Sequence, residues 1–173
     1  MPDPIIFFAS CRPVAAHARL VMAWRNDPVT LSMSRHREPK RWESFWPEFR
    51  DVYFRVEAVL MPVFAVVGRR RIGFLRFVPV EHPLALDRRA VEISINIAPE
   101  WRGMGLGAAV LRATLNHLRD WDGDSVCAEA KEENVPSRKV FAVAGFREVG
   151  VVEKRIPDTG EVCRMVRFVF DLT

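Results

Sequence analysis

The stretch Val91-Glu-Ile-Ser-Ile-Asn-Ile97, continuing as Ala98-Pro-Glu-Trp-Arg-Gly-Met-Gly-Leu-Gly-Ala108, decides how the rest of the chain reads. Val91, Ile93, Ile95 and Ile97 alternate with Glu92, Ser94 and Asn96, the period of two expected of a strand with two unlike faces. Pro99 has no N–H to give to a sheet and ends that strand. Beyond the glycines, Ala108, Leu111, Leu115 and Leu118 recur at helical spacing, with Arg112, Asn116 and Arg119 elsewhere around the helix. The link between strand and helix is Arg102-Gly103-Met104-Gly105-Leu106-Gly107. Its glycines let the backbone turn sharply and bring bare N–H groups close to a ligand. Those groups sit at a helix N-terminus, where unpaired donors and the helix dipole favour an anion, and Arg102 adds a positive charge. A phosphate or pyrophosphate cradle is the chemistry such a turn suits.

Two motifs overlap there. Gly103, Gly105 and Ala108 satisfy G-x-G-x-x-A, a dinucleotide-binding fingerprint, which would make the chain a nicotinamide-binding protein. A fold of that kind needs further βαβ units downstream, whereas this chain ends in two strand-like runs joined by a short turn. Arg102, Gly105 and Gly107 also fill Q/R-x-x-G-x-G/A, which resembles the acetyl-CoA signature of the GNAT acyltransferase superfamily. Downstream, Ala128-Glu-Ala-Lys-Glu-Glu-Asn134-Val-Pro-Ser137-Arg-Lys-Val-Phe141-Ala-Val-Ala-Gly145-Phe146 resembles the second signature of that superfamily, a strand followed by N-x-x-S/A, a short helix and G-F. The local physics agrees with it. Asn134 is a good N-cap, Pro136 is tolerated in a first helical turn, and Gly145 suits the left-handed position that stops a helix.

Length and composition bound the rest. A chain of 173 residues fits one domain, 1–173, able to bury a core without staples. A hydrophobic share of 49% and a charged share of 28% are ordinary for a soluble globular protein, and no apolar run reaches the length of a membrane span. The N-terminal Met1-Pro-Asp-Pro-Ile-Ile-Phe-Phe has no basic region ahead of a long apolar one, so a signal peptide is not expected. Cys11, Cys127 and Cys163 are widely spaced and odd in number, which reads as buried thiols in a reducing compartment, with the cytoplasm as default and no metal site. The net charge of +4 suits attraction of an anionic cofactor or substrate. Arg69-Arg70-Arg71 follows Gly68 at a probable hairpin tip and lacks the interleaved aromatics of a nucleic-acid surface.

In chain order, Ile5–Phe8 reads as a first strand, and residues 14–26 as a helix stopped at Asn26-Asp27-Pro28. Ser32–Pro39 reads as a polar loop. Trp42, Phe45, Trp46, Phe49, Val52, Tyr53, Val56 and Leu60 recur at helical spacing, with Pro47 predicting a kink or a break. Pro62–Val67 and Ile72–Val78 form a hairpin; Ser125–Lys131 is a strand; Arg147–Ile156 and Val162–Leu172 form a second hairpin around Pro157-Asp-Thr-Gly160. The order β-α-α-β-β-β-α-β-α-β-β predicts an α+β protein.

The resemblance implies more. It implies the GNAT fold, a central mixed and mostly antiparallel sheet flanked by helices on both faces, with acetyl-CoA in a V-shaped opening between two central strands. Carried over, Ile95 and Ile97 would offer backbone groups to the pantetheine arm. Arg102, Gly103, Met104, Gly105, Leu106, Gly107 and Ala108 would hold the pyrophosphate, and Asn134 and Phe141 would meet the cofactor arm. The reaction would be direct attack of a deprotonated amine on the thioester, so that Cys127 is not needed as a nucleophile. Many relatives place a tyrosine as general acid where this chain has Phe141; Ser137, an ordered water, or unassisted departure of the thiolate would substitute. Glu92 is the leading candidate for the base and Glu129, on the neighbouring strand, the second. Pairing through the 80–89 loop is expected to set Arg76 nearly opposite Glu92, which would lower the pKa of that carboxyl.

Trp24-Arg-Asn-Asp-Pro28, Trp46, Ile72-Gly-Phe-Leu-Arg-Phe77 and Glu92-Ile-Ser-Ile95 resemble a bacterial branch that acetylates nucleotide-linked 4-amino sugars. Glu43 stands where that branch usually has histidine. The branch makes Arg25, Trp46, Arg76 and Ser94 acceptor-site candidates, with Arg25, Arg35 or Arg37 meeting a nucleotide diphosphate. Related enzymes that acetylate ribosomal-protein N-termini share much of the signature, so a peptide is the alternative acceptor. A non-catalytic CoA-binding module of the same fold is the alternative to an enzyme. A monomer or homodimer acting on a small-molecule amine, without nucleic acid or membrane, is the expected working unit.

Overall fold

The computed structural model of the protein describes residues 4–55 and 60–172. Its elements in chain order are β1 (Phe7–Ser10), α1 (Ala15–Arg25), α2 (Pro28–Met33), α3 (Trp42–Val52), β2 (Val63–Val67), β3 (Arg70–Glu81), β4 (Arg89–Ile97), α4 (Leu106–His117), β5 (Ser125–Lys131), α5 (Val135–Val143), β6 (Arg147–Arg155) and β7 (Val162–Asp171). The strands form one sheet in the order β1-β2-β3-β4-β5-β7-β6. Only the β4–β5 pair is parallel; the other pairs are antiparallel.

The alternation along the strands puts different cores on the two faces. Phe64 and Phe74 are cross-strand partners, and their face packs against Ala18, Val21 and Trp24 of α1 and Phe45 and Phe49 of α3. On the other face Ala65, Leu75, Val91, Ile93, Val126 and Ala128 pack against Val110, Leu111 and Leu115 of α4 and Phe141 of α5. Burying either layer stabilises the fold in proportion to the apolar area removed from water, and a single fully buried Phe or Leu contributes about 1.5–3 kcal/mol. The period-2 prediction for β4 is met. Val91 and Ile93 lie in the α4 core, while Glu92, Ser94 and Asn96 share the face of Phe74, the partner of Asn96.

Boundaries differ from the sequence expectation at several elements, β3 among them, which runs Arg70–Glu81 rather than Ile72–Val78 and takes Arg70 and Arg71 into the strand. The first strand runs Phe7–Ser10, set by its pairing with β2 (Phe7 opposite Val66), and Ile5 is exposed. Residues 28–33, expected as turn and loop, form α2, because Asp27 caps it by accepting from the Thr30 N–H at 3.1 Å and Pro28 sits at its first position. The aromatic helix is a single element ending at Val52 rather than two pieces; Pro47 lies inside it and withholds one N–H, while Phe45 and Phe49 stay fully buried. Val56, expected to extend that helix, lies outside the described residues. Among the described residues no helix is long and apolar enough to cross a membrane.

Candidate functional site

β4 and β5 pair only at Ala90–Ser125, Val91–Val126 and Glu92–Cys127, although β4 continues to Ile97 and β5 to Lys131. Past Glu92 the two strands part. A cleft of about 1030 Å³ opens between them, with residues 92–97 on one wall, 129–131 on the other, and the glycine turn and start of α4 at one end. Backbone groups of β4 that face the opening have no strand partner there, so they are available to an extended ligand in the way a sheet edge is.

The glycine turn is built as a cradle. Gly103 and Gly105 both have φ of +73°, and a Cβ added to either would meet nothing within 4 Å, so their backbone faces open space. Gly105 is the N-cap of α4 and supplies no side-chain acceptor, which leaves the first N–H groups of a twelve-residue helix unpaired. Gly107 also serves packing: a Cβ there would lie 3.2 Å from Val140 Cγ1 of α5. Leu106 and Ala108 are buried and line the cleft, and Met104 is exposed.

Arg102 lines the cleft, and its guanidinium donates to Asp27 Oδ2 at 2.6 Å, Thr30 Oγ1 at 2.6 Å and the Ile97 carbonyl at 3.2 Å. The Arg102 bond holds the Asp27 carboxyl below its ordinary pKa. The side chain therefore ties the glycine turn to α2, and its charge is matched by Asp27 rather than offered to a phosphate.

On the β5 side, Asn134 caps α5 by accepting from the Ser137 N–H at 3.2 Å, as its position predicted, and Asn134, Ser137 and Phe141 all line the cleft. Phe141 is buried and stacked 5.1 Å from Phe168, so the ring at the tyrosine position belongs to the core as well as to the wall.

Glu92 lies against Cys127 in register, and both Glu92 and Glu129 face the opening. Burial pushes the Glu92 pKa up, and the charge of Glu129 adds to it; Lys154, Arg35 and Arg167 pull the other way. Arg76 is not opposite Glu92. The β3–β4 register pairs Arg76 with Ser94 and Val78 with Glu92, a two-residue offset that keeps the face and changes the partner. The expected lowering of the Glu92 pKa by Arg76 is thus replaced by a rise. Arg76 stacks 4.0 Å over the Tyr53 ring and is not part of the cleft wall, although Ser94 is. Glu129 is ion-paired to Lys154 and accepts from Arg167 Nε at 3.1 Å. Cys127 is buried, its thiol pushed up to about 11 by desolvation, which fits the structural role expected of it.

Of the other acceptor-site candidates, Arg25 and Arg35 line the cleft and Trp46 does not. Trp46 lies on α3, stacked on Trp42 with ring centres 5.5 Å apart. Arg37 is exposed and paired with Glu161 at 3.1 Å. The roof over the cleft was missed in the sequence. It comprises α2 and the segment 34–40, whose Arg37 and Glu38 N–H groups both donate to Asp158 Oδ2, at 2.6 and 3.1 Å. Lys131, 1% exposed, donates from Nζ to the Ser32 carbonyl at 3.1 Å and fastens the roof to β5. Asp27-Pro28 was the available signal, since Asx followed by Pro starts a helix as readily as it stops one.

Residues 11–147 match the family described as acetyltransferase (GNAT) domain. No curated protein matches the chain in sequence. Among solved structures it is similar to the spermidine N-acetyltransferase of Vibrio cholerae in complex with CoA and spermine, at 16% identity over 96% of this chain and 95% of that one, with a TM-score of 0.78. A protein described as a phosphinothricin N-acetyltransferase aligns at 20% identity over 98% and 99%, TM-score 0.77. An aminoglycoside acetyltransferase in complex with coenzyme A aligns at 16% over 96% and 95%, TM-score 0.74. The shared architecture is the seven-stranded mixed sheet with helices on both faces.

Proposed function

The chain belongs to the GNAT acetyltransferase family, and from that premise we propose that it moves the acetyl group of acetyl-CoA to a primary amine of a small molecule by direct attack. The observation that carries this reading is the parting of β4 and β5 above an uncapped, glycine-built helix N-terminus. It gives an extended cofactor arm a strand edge to bond and its pyrophosphate a set of free N–H groups.

Within this reading acetyl-CoA supplies the thioester carbonyl. Backbone groups of Ile95 and the Ile97 N–H, which have no partner on β5, bond the arm. Gly103, Met104, Gly105, Leu106, Gly107 and Ala108 hold the pyrophosphate by backbone rather than by the Arg102 guanidinium. Asn134 and Ser137 line the arm on the α5 side. The amine loses a proton, its nitrogen forms a bond to the acetyl carbon, and the C–S bond breaks to leave CoA thiolate. Glu92 accepts the amine proton, its raised pKa bringing it nearer to the working pH of a general base. Phe141 cannot protonate the thiolate, so Ser137 or solvent does so. Two close examples of this reading differ in the acceptor. The finer proposal is the amine of a nucleotide-linked 4-amino sugar; the other is a peptide N-terminus.

The test is thiol release from acetyl-CoA, followed side by side with a UDP-linked 4-amino sugar, simple primary amines and short peptides bearing free N-termini. Release with the sugar supports the finer proposal, and release with peptides alone moves the acceptor to a protein N-terminus. CoA binding without thiol release from any amine refutes catalysis.

A further inference from the structure

Several charged groups along the roofed half of the cleft have partners among the described residues. Glu129 is held between Lys154 and Arg167, Lys40 faces Glu48 at 3.6 Å, and Lys131 is bonded to the Ser32 carbonyl. Arg102 is taken by Asp27. Arg25 and Arg35 both line the cleft, and each has a solvent-shielded Nε with no acceptor among the described residues. A shielded guanidinium N–H of this kind is costly until something arrives to accept it.

The surroundings deepen the imbalance. The guanidinium of Arg25 lies 5.4 Å from the centre of the Tyr53 ring, and that of Arg76 lies 4.0 Å from the same ring. Burial lowers the pKa of both Lys40 and Arg76, and the charge of Arg25 lowers each further. Cations gathered in a half-buried place repel one another and attract an anion. Most nearby acids are engaged elsewhere: Glu129 has its own two partners, Glu48 faces Lys40 and Glu38 is exposed, which leaves Glu92, whose pKa burial raises, to face the amine.

We propose that the acceptor amine carries an anionic group, a carboxylate or a phosphate, held by Arg25 and Arg35 while the amine faces Glu92. This rests on the acetyl-transfer reading above and adds the charge class of the acceptor. The guanidinium fork fits the two oxygens of either group. A polyamine, such as the spermine bound in the Vibrio cholerae structure, would meet these two cations instead.

The experiment compares matched acceptors in the thiol-release assay: an amino sugar phosphate against the same sugar without phosphate, an α-amino acid against its amide, and spermidine. Removing the anionic group is expected to lower kcat/KM about tenfold or more. Arg25→Gln and Arg35→Gln should raise KM for the anionic acceptor alone and leave KM for acetyl-CoA unchanged, which also shows that the variants fold. The phosphate and carboxylate arms separate the two sources of the anion. Equal turnover of charged and uncharged partners, or a preference for spermidine, overturns the proposal. Calorimetric titration of CoA-saturated protein with inorganic phosphate and with acetate tests the site without turnover. Binding abolished in the double Gln variant upholds the anion site even if no amine is acetylated, whereas absence of binding to both anions overturns it.

Discussion

Gly105 and Gly68 form a matched pair on which the cofactor cradle can be tested. Gly105 has φ of +73° and Gly68, in the β2–β3 turn, has φ of +61°; a Cβ at either would meet nothing within 4 Å. The Cβ of a valine therefore creates no clash at either position, and the main cost is that of holding an L-residue in the left-handed region, about 1–2 kcal/mol. For a chain of this length each kcal/mol lowers Tm by about 2–4 °C, so both variants should melt roughly 2–8 °C below the parent. CoA affinity separates them. Only the Gly105→Val side chain enters the space in front of the α4 N–H groups, and losing one charge-assisted hydrogen bond there removes about 1.5–3 kcal/mol. That corresponds to a roughly ten- to hundredfold rise in Kd. Calorimetric titration with CoA, beside thermal melts of both variants, reads the two effects separately. Unchanged CoA affinity in Gly105→Val would falsify the placement of the cradle. An equal loss in Gly68→Val would show that general strain, not the cradle, is being measured.

Three further outcomes are expected. Glu92→Gln should lower kcat by about 10²–10⁴-fold, and the parent kcat/KM should rise with pH as the Glu92 carboxyl ionises. Because its pKa is raised by burial, the stability it contributes is greatest at low pH and is lost as pH climbs from the ordinary carboxyl range through the raised value. The Gln variant should thus melt no lower than the parent at pH 8, and a variant that is inactive because it melts lower would argue against a catalytic base. Cys127, its thiol pushed up to about 11, should resist iodoacetamide at pH 7.5, and mass spectrometry after incubation with acetyl-CoA should find no acetyl group on it; an acetylated Cys127 would refute direct attack. Asp158→Ala removes the acceptor for the Arg37 and Glu38 N–H groups and should raise the acceptor KM while sparing that of acetyl-CoA. A parallel rise in both constants would mean that Asp158 merely supports the whole fold.

Much of the cofactor side of the site was legible because it is written in short-range patterns. The two faces of β4 follow from alternation, the α4 cradle from glycines beside a helical apolar period, and the α5 cap from Asn134 three residues before Ser137. The acceptor side was not, because it depends on where segments distant in sequence meet. The four-residue spacing of Trp42 and Trp46 announces their stacking, but nothing near them announces that α3 holds Trp46 outside the cleft. Nothing near residues 34–40 announces that a carboxylate from the β6–β7 turn holds them.

Among the described residues each strand and each helix except α2 could be read from the chain, as could the glycine turn ahead of α4, since each rests on backbone preferences and apolar periods that act within a few residues. Only the tertiary structure decided the charges. Arg102 could have reached a phosphate or Asp27, and the docking of α2 chose Asp27. Arg76 could have faced Glu92 or Ser94, and the register of β3 on β4 chose Ser94. Long charged side chains have many partners within reach, and Coulomb forces carry no sequence period, so their pairing follows from the packing of the whole chain.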